Sequence, residues 1–176
     1  MHAVSGDSRG SVLYVCTGNI CRSPTAHAIL RDLFQKRGKS FDLNIDSAGT
    51  HGYHVGSPPD ERSCRMAERA GINMRDLRAR QFSRADFQRF NVILAMDEGH
   101  LDYIQRLASQ DTAFKSKSVE IALFLDYAGL GAKDVPDPYY GGEEGFKEVY
   151  QLIHAGCERI YDRLTAISEE KHPDFL

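Results

Sequence analysis

Apolar and polar positions alternate in blocks along this chain. Ser11-Val12-Leu13-Tyr14-Val15 is a short, β-branched apolar run, the pattern of a strand buried on both faces. A Gly18-Asn19 turn follows, and Ser23-Pro24 then opens a predicted helix, with Ser23 at the N-cap and Pro24 at the first helical position. Ala26, Ile29, Leu30, Leu33 and Phe34 fall on one face of that helix, and Gly38 ends it. The alternation in Phe41 to Ile45 predicts a second strand. Asp60 to Ala70 reads as a helix stopped by Gly71, and Ser83 with Asp86 has the spacing of a capping box on a short helix. Asn91 to Ala95 is a third predicted strand, followed by a helix carrying Leu101, Ile104, Leu107 and Ala108. Val119 to Leu123 fits a fourth strand, with a helical alternative. The last helix has the longest stripe: Phe146, Val149, Tyr150, Ile153, Cys157, Ile160, Tyr161, Leu164 and Ile167.

Strands that alternate with helices predict an α/β fold, a parallel sheet with helices on both faces joined by right-handed crossovers. Ligands of such sheets sit beyond the carboxyl ends of the strands, where strand order reverses. The loops expected to converge there are Cys16 to Arg22, Gly49 to Pro59 and the segment around Asp97. The organisation expected is a flexible N-terminal tail at 1–10, one domain at 11–167 and a C-terminal tail at 168–176.

Composition narrows the function classes. The 176 residues are 41% hydrophobic and 27% charged, as in a soluble globular domain. A net charge of -3 gives no basic footprint for nucleic acid. No apolar run approaches a membrane span, and the polar start lacks the apolar block of a signal peptide. Cys16, Cys21, Cys64 and Cys157 are irregularly spaced and suit a reducing, cytoplasmic setting better than a disulfide framework. No cluster has metal-ligand spacing, so no metal or other cofactor is expected. His51 and His54 read as exposed loop histidines.

The first loop carries the chemistry. In Cys16-Thr17-Gly18-Asn19-Ile20-Cys21-Arg22-Ser23, a strand end turns into a helix N-terminus, so inward-pointing amides make an anion nest. Arg22 adds a planar fork for two phosphate oxygens. Cys16 lies at the mouth of the nest, whose field favours a thiolate poised for in-line attack on phosphorus. Ser23 can donate to that sulfur, and Asn19 suits a left-handed turn position. A buried structural cysteine beside a capped helix is the plainer alternative, but it leaves the Cys-to-Arg spacing unexplained. An ATP-binding Gly-rich loop is excluded, because no Gly-Lys-Ser/Thr follows.

A leaving phenolate or alkoxide needs a proton, and Asp137 in Asp134-Val135-Pro136-Asp137-Pro138-Tyr139-Tyr140 is the candidate acid and later base. Asp-Pro is often only a turn, but Tyr139 and Tyr140 beside it suggest a platform for a flat leaving group. Tyr53 could form the opposite wall.

These segments resemble the low-molecular-weight protein tyrosine phosphatases, from about Ser11 to about Leu164. The matching pieces are Val12 to Pro24, Asp46-Ser47-Ala48-Gly49-Thr50, Ala79-Arg80-Gln81-Phe82, Met96-Asp97-Glu98 and Asp137 to Tyr140. The resemblance implies a four-stranded parallel sheet with the phosphate-binding loop after the first strand. It also implies a cysteinyl-phosphate intermediate on Cys16, with Arg22 and the loop amides holding phosphate and Asp137 as acid and base, without metal. Asn19, Ser23 and Ser47 would support the loop. Tyr53 and Tyr139 would line an aromatic slot, and Cys21 would pair reversibly with Cys16 on oxidation. Tyr139 and Tyr140 are regulatory phosphorylation sites in some relatives. The implied partner is a phosphotyrosine protein, with phosphate-like oxyanions as inhibitors. Many relatives have Glu at the His27 position, and the wall position filled here by Tyr53 is often Trp.

Two enzymes on the same scaffold compete with that reading. Arginine phosphatases tend to have Thr at the Ile20 position and a less aromatic acid loop. Thiol-dependent arsenate reductases need a relay of close cysteines, which Cys64 and Cys157 do not promise. A non-catalytic phosphate-binding module could dispense with Cys16 or Asp137, and both are present.

Overall fold

Four parallel strands lie in the order β2-β1-β3-β4, where β1 is Ser11–Cys16, β2 Asn44–Gly49, β3 Val92–Ala95 and β4 Glu120–Leu123. The computed structural model describes residues 10–37, 43–112, 114 and 118–171. The N-terminal tail expected at 1–10 therefore falls outside it, except for Gly10. Among the described residues, six helices connect and flank the strands: α1 (Arg22–Arg37), α2 (Glu61–Arg69), α3 (Asp86–Arg89), α4 (Glu98–Ser109), α5 (Phe124–Tyr127) and α6 (Glu143–Lys171).

All six residues of β1 are buried, as a central strand covered on both faces must be. Val12, Tyr14 and Cys16 pack into one core with Ala26, Ile29 and Leu30 of α1 and Ile153, Cys157 and Ile160 of α6. Leu13 and Val15 point the other way, onto Phe82, Phe87, Phe90 and, from α4, Ile104 and Ala108. The period-two alternation of one strand thus assigns α1 and α6 to one face and α3 and α4 to the other. Both neighbours of β1 run parallel to it, with Cys16 level with Gly49 and Val15 level with Ala95. The chain leaves β1 for β2 on one side and returns to β3 on the other. The crevice between those two directions opens beyond the carboxyl end of β1.

Several expectations shift. The second strand is Asn44–Gly49, not Phe41 to Ile45, whose first two residues lie outside the described ones. Asp46 and Ser47 concealed it, because polar residues rarely mark a buried strand. Here Arg80 Nε donates to Asp46 at 2.9 Å and Ser47 meets His27. Helix α1 starts at Arg22, so Ser23 is inside its first turn and not its N-cap; the Ser23 hydroxyl is spent on the loop instead. The Val119 to Leu123 run is a strand at 120–123, and the helical character beside it belongs to α5. Helix α6 continues to Lys171, through the start of the expected C-terminal tail, while Ile167 at its far end is exposed. The α2 boundaries follow the sequence signals. Asp60 caps the start by accepting from Arg62 N at 2.9 Å, and Gly71 takes φ +76° just past the end. No described helix is long and apolar enough to cross a membrane.

Candidate active site

The loop from Cys16 to Arg22 is held in shape by hydrogen bonds to its neighbours. Asn19 has φ +57°, the only non-glycine residue with positive φ among those described, as its sequence position suggested. Its amide donates to Ser23 Oγ at 2.9 Å and its carbonyl accepts from Arg80 N at 3.0 Å. Arg80 is anchored in turn by Asp46 and by Asp86, a fully buried carboxylate that also accepts from Ser83 N. That last contact is the capping-box leg expected from the spacing. The backbone after β2 runs along the loop, with Thr50 N donating to Cys16 O at 2.8 Å and His51 N to Thr17 O at 3.0 Å. Among the described residues, no backbone carbonyl accepts from the amides of Gly18 to Arg22, which leaves that row of donors for an anion.

Cys16 Sγ lies 2.9 Å from Ser23 Oγ, buried at the base of the loop. Ser23 also reaches toward Ala48 O at 3.4 Å. Ser47, expected among the loop supports, sits one residue earlier on β2, and its hydroxyl pairs with His27 Nδ1 at 3.2 Å. Its connection to the loop therefore runs through the β2 backbone.

Arg22 is almost wholly buried, with 3% of its surface exposed. Its NH1 donates to Asp97 Oδ2 at 2.8 Å and to Val135 O at 3.0 Å. Its NH2 lies 3.4 Å from Thr17 Oγ1 and 3.5 Å from Asp137 Oδ2. Asp97 caps α4 by accepting from His100 N at 3.0 Å. Burial opposes its charge, but the His100 amide, His100 and Arg22 together hold its carboxyl below the usual range. The loop carrying Asp137 is tied to the same place: Val135 N donates to Met96 O, and Glu98 N donates to Asp134 Oδ1. These bonds bring Asp137, 115 positions after Arg22 in the numbering, to the mouth of the site. Asp137 itself is partly exposed and accepts from Tyr139 N at 3.0 Å.

One cavity of about 220 Å³ gathers the predicted residues: Cys16, Thr17, Gly18, Ile20, Cys21 and Arg22 at its floor, with Asp137, Tyr53, Tyr139 and Tyr140 around its opening. Tyr53 and Tyr140 are strongly exposed at 74% and 91%, so the rim is aromatic and open. Cys21 is buried beside Cys16, and desolvation, reinforced by Asp60 and Cys16, pushes its thiol up to about 12. Cys64 and Cys157 are also buried, and their thiols point to the Pro59 and Ala26 carbonyls. No group of three or more His, Cys, Asp or Glu side chains among the described residues could hold a metal.

Three participants were missed from sequence. His54, read as an exposed loop residue, is half-buried, lines the cavity and presses on Gly18, where an added Cβ would lie 2.8 Å from its ring. His51 is exposed, as expected, and stacks on Tyr53. His100 packs under the loop, with Nε2 2.8 Å from Thr17 Oγ1. The Asp97-x-x-His100 spacing at a helix start was the available signal. The Val135 carbonyl, a backbone group, left none.

The family model for the low molecular weight phosphotyrosine protein phosphatases matches residues 11–172. This chain belongs to that family. It is 44% identical over 162 residues to the low molecular weight protein-tyrosine-phosphatase YfkJ of Bacillus subtilis, covering 92% of this chain and 97% of the relative. The crystal structure of YfkJ superposes with a TM-score of 0.80 at 41% identity, over 94% of this chain and 99% of that one. A Drosophila arginine phosphatase is similar in fold, with a TM-score of 0.79, 35% identity and coverage of 86% and 96%. So is Vibrio vulnificus Wzb in complex with benzylphosphonate, with a TM-score of 0.74, 27% identity and coverage of 88% and 99%. Family membership accounts for the four-stranded parallel sheet and for the loop after β1.

The two buried histidines of this phosphatase-family chain set an acid limit on its stability. Burial lowers His27 from 6.5 to about 4, against the pull of Asp46, and lowers His100 equally, against the pull of Asp97. Between those values the unfolded chain binds protons that the folded chain refuses, so stability falls as pH drops from about 6.5 to about 4. The thermal midpoint should decline across that window, and His27→Gln should flatten the decline. A midpoint constant between pH 7 and 4.5 would contradict this account.

Proposed function

We propose that this protein hydrolyses phosphotyrosine in proteins through a cysteinyl-phosphate intermediate. The observation that carries the proposal is one cavity lined together by Cys16, Arg22, Asp137 and three tyrosines. The phosphate enters with its oxygens on the Gly18 to Arg22 amides and on Arg22. Arg22 NH1 is engaged by Asp97 and Val135 O, which leaves Nε and NH2 as the fork for the ligand. Cys16 Sγ attacks phosphorus in line, the P–O bond to the phenol breaks, and Asp137 protonates the departing oxygen. Asp137, now a carboxylate, takes a proton from water. The water oxygen attacks the phosphocysteine, releasing inorganic phosphate and the thiolate, which Ser23 stabilises by donating its hydroxyl hydrogen.

Tyr53 and Tyr139 would flank the phenyl ring, with Tyr140 reaching further along the substrate. The aromatic rim supports tyrosine over serine, whose shorter and non-aromatic side chain would leave the walls unfilled. It also supports tyrosine over arginine, although a structural relative is an arginine phosphatase. Phosphate-like oxyanions should inhibit by occupying the nest. Under peroxide, a Cys16 sulfenic acid would condense with the Cys21 thiol, with loss of water, and so avoid further oxidation. The buried free cysteines support a reducing, cytoplasmic location.

Rates on matched phosphotyrosine, phosphoarginine and phosphoserine peptides test the substrate assignment. Phosphotyrosine should be fastest, and a faster phosphoarginine rate would transfer the assignment to the arginine phosphatases. Asp137→Ala tests the acid. It should slow phenyl phosphate, whose leaving group needs a proton, by roughly 10²-fold or more, and p-nitrophenyl phosphate much less. Equal slowing of both would remove Asp137 from that role.

A further inference from the structure

A ring of side-chain contacts closes across NH1 and NH2 of Arg22. Arg22 NH1 donates to Asp97 Oδ2 at 2.8 Å. Asp97 Oδ1 lies 3.1 Å from His100 Nδ1, off the ideal hydrogen-bond direction, so that contact is mainly electrostatic. His100 Nε2 lies 2.8 Å from Thr17 Oγ1, and Thr17 Oγ1 lies 3.4 Å from Arg22 NH2. One assignment of protons suits all four contacts, three as hydrogen bonds and the His100–Asp97 one as a charge attraction. A neutral His100 carries its proton on Nδ1, facing the Asp97 carboxylate. Its bare Nε2 accepts from the Thr17 hydroxyl, and the Thr17 oxygen then offers its lone pairs to Arg22 NH2. His100 is 4% exposed, and burial keeps it neutral by lowering it to about 4.

The ring matters because Arg22 NH2 has a competing partner. Asp137 Oδ2 stands 3.5 Å away, scarcely farther than Thr17 Oγ1. If NH2 swung onto Asp137, the fork that receives phosphate and the carboxyl that serves the leaving group would neutralise each other. Thr17 can hold NH2 only while its hydroxyl hydrogen is directed elsewhere, and His100 Nε2 is the acceptor that directs it. With no acceptor there, the hydroxyl is free to turn its hydrogen toward the guanidinium, where it repels.

We infer that His100 is a positioning residue for oxyanion capture, acting through Thr17 to hold Arg22 NH2 away from Asp137 and open to the ligand. This rests on the assignment of Arg22 as the phosphate-binding arginine. The effect belongs to ground-state binding, because a bound oxyanion displaces Asp137 from Arg22 whatever the ring does. Loss of His100 should therefore raise KM and the dissociation constant of inorganic phosphate, and leave kcat nearly unchanged.

The test measures inorganic phosphate binding by calorimetry, beside p-nitrophenyl phosphate kinetics, for the wild type and for His100→Ala, Thr17→Val, Thr17→Ser and the His100→Ala/Thr17→Val double variant. Both single variants should weaken phosphate binding about tenfold, the size of one hydrogen bond to a charged group, with kcat within about twofold of wild type. Thr17→Ser, which keeps the hydroxyl, should bind as the wild type does. The double variant should be no weaker than either single one, because each breaks the same ring. Wild-type phosphate affinity in Thr17→Val, which is nearly isosteric, would overturn the inference even if His100→Ala failed to fold. So would additive losses, or a fall in kcat matching the rise in KM. A wild type that bound no phosphate would instead overturn the reading of Arg22 itself.

Discussion

Replacing Cys16 with serine is expected to lower turnover of p-nitrophenyl phosphate by at least about 10⁴-fold, while leaving the fold and phosphate binding in place. A serine hydroxyl is a poor nucleophile at neutral pH without a base beside it. The Cys16 surroundings supply none, since its side-chain partner is Ser23, whose hydroxyl at 2.9 Å can donate but is no base. A loss of 10⁴ corresponds to about 5.5 kcal/mol of transition-state stabilisation, the scale expected when a covalent step disappears. The structural cost should be small, because serine replaces a buried sulfur by a smaller oxygen that can still meet Ser23. Arg22 and the loop amides remain, so inorganic phosphate should still raise the melting temperature. Acid quenching of the wild type during turnover should trap phosphate on the protein, and the serine variant should trap none. Retention of more than a few per cent of activity would show that sulfur is not the attacking atom.

Gly49→Ala is expected to damage the site from outside it. An alanine Cβ at this position would lie 2.6 Å from the Thr17 carbonyl oxygen, 3.0 Å from that of His51 and 3.1 Å from Asn19 N. All three are backbone atoms, so no side-chain rotation relieves the overlap. Either the end of β2 or the loop must move, and the loop carries the row of amides. Overpacking of this kind costs about 1–3 kcal/mol in stability. A displacement approaching 1 Å in the anion nest would cost roughly 10²-fold in kcat/KM. Gly142→Ala is the matching control, since nothing lies within 4 Å of its added Cβ. Melting temperature and kcat/KM should both fall in Gly49→Ala and neither in the control. Unchanged kcat/KM at Gly49→Ala would mean that the loop does not need this close approach.

What the sequence made legible was short-range. Cys16 to Ser23 lie within one turn of chain, so their spacing encoded the strand end and the left-handed Asn19 together, although the helix starts at Arg22, before the expected Ser23 cap. Asp137 was legible because Pro136, Pro138, Tyr139 and Tyr140 mark it off from an ordinary turn. The second strand was not, because the polarity of Asp46 and Ser47 makes sense only once Arg80 and His27 are beside them. His100 looked like any polar residue in a helical turn, since its partner Thr17 is 83 positions away. The Val135 contact with Arg22 spans 113 positions and uses a carbonyl that every residue possesses. Such contacts are decided by the β2-β1-β3-β4 order of the sheet, which a linear pattern does not display.

The anchoring of Arg22 has a thermodynamic consequence. A guanidinium held by Asp97, the Val135 carbonyl and Thr17 together has little rotamer freedom left to lose. Capture of a small oxyanion should then be fast and dominated by enthalpy, with little heat-capacity change. A phosphopeptide must also order Tyr53 and Tyr140, which stand out in solvent. Its additional affinity should come with an entropic cost and a negative heat-capacity change that phosphate alone does not show. The same cleft would thus combine a rigid receptor for charge with an adaptable one for sequence, and calorimetry on the two ligands would separate them.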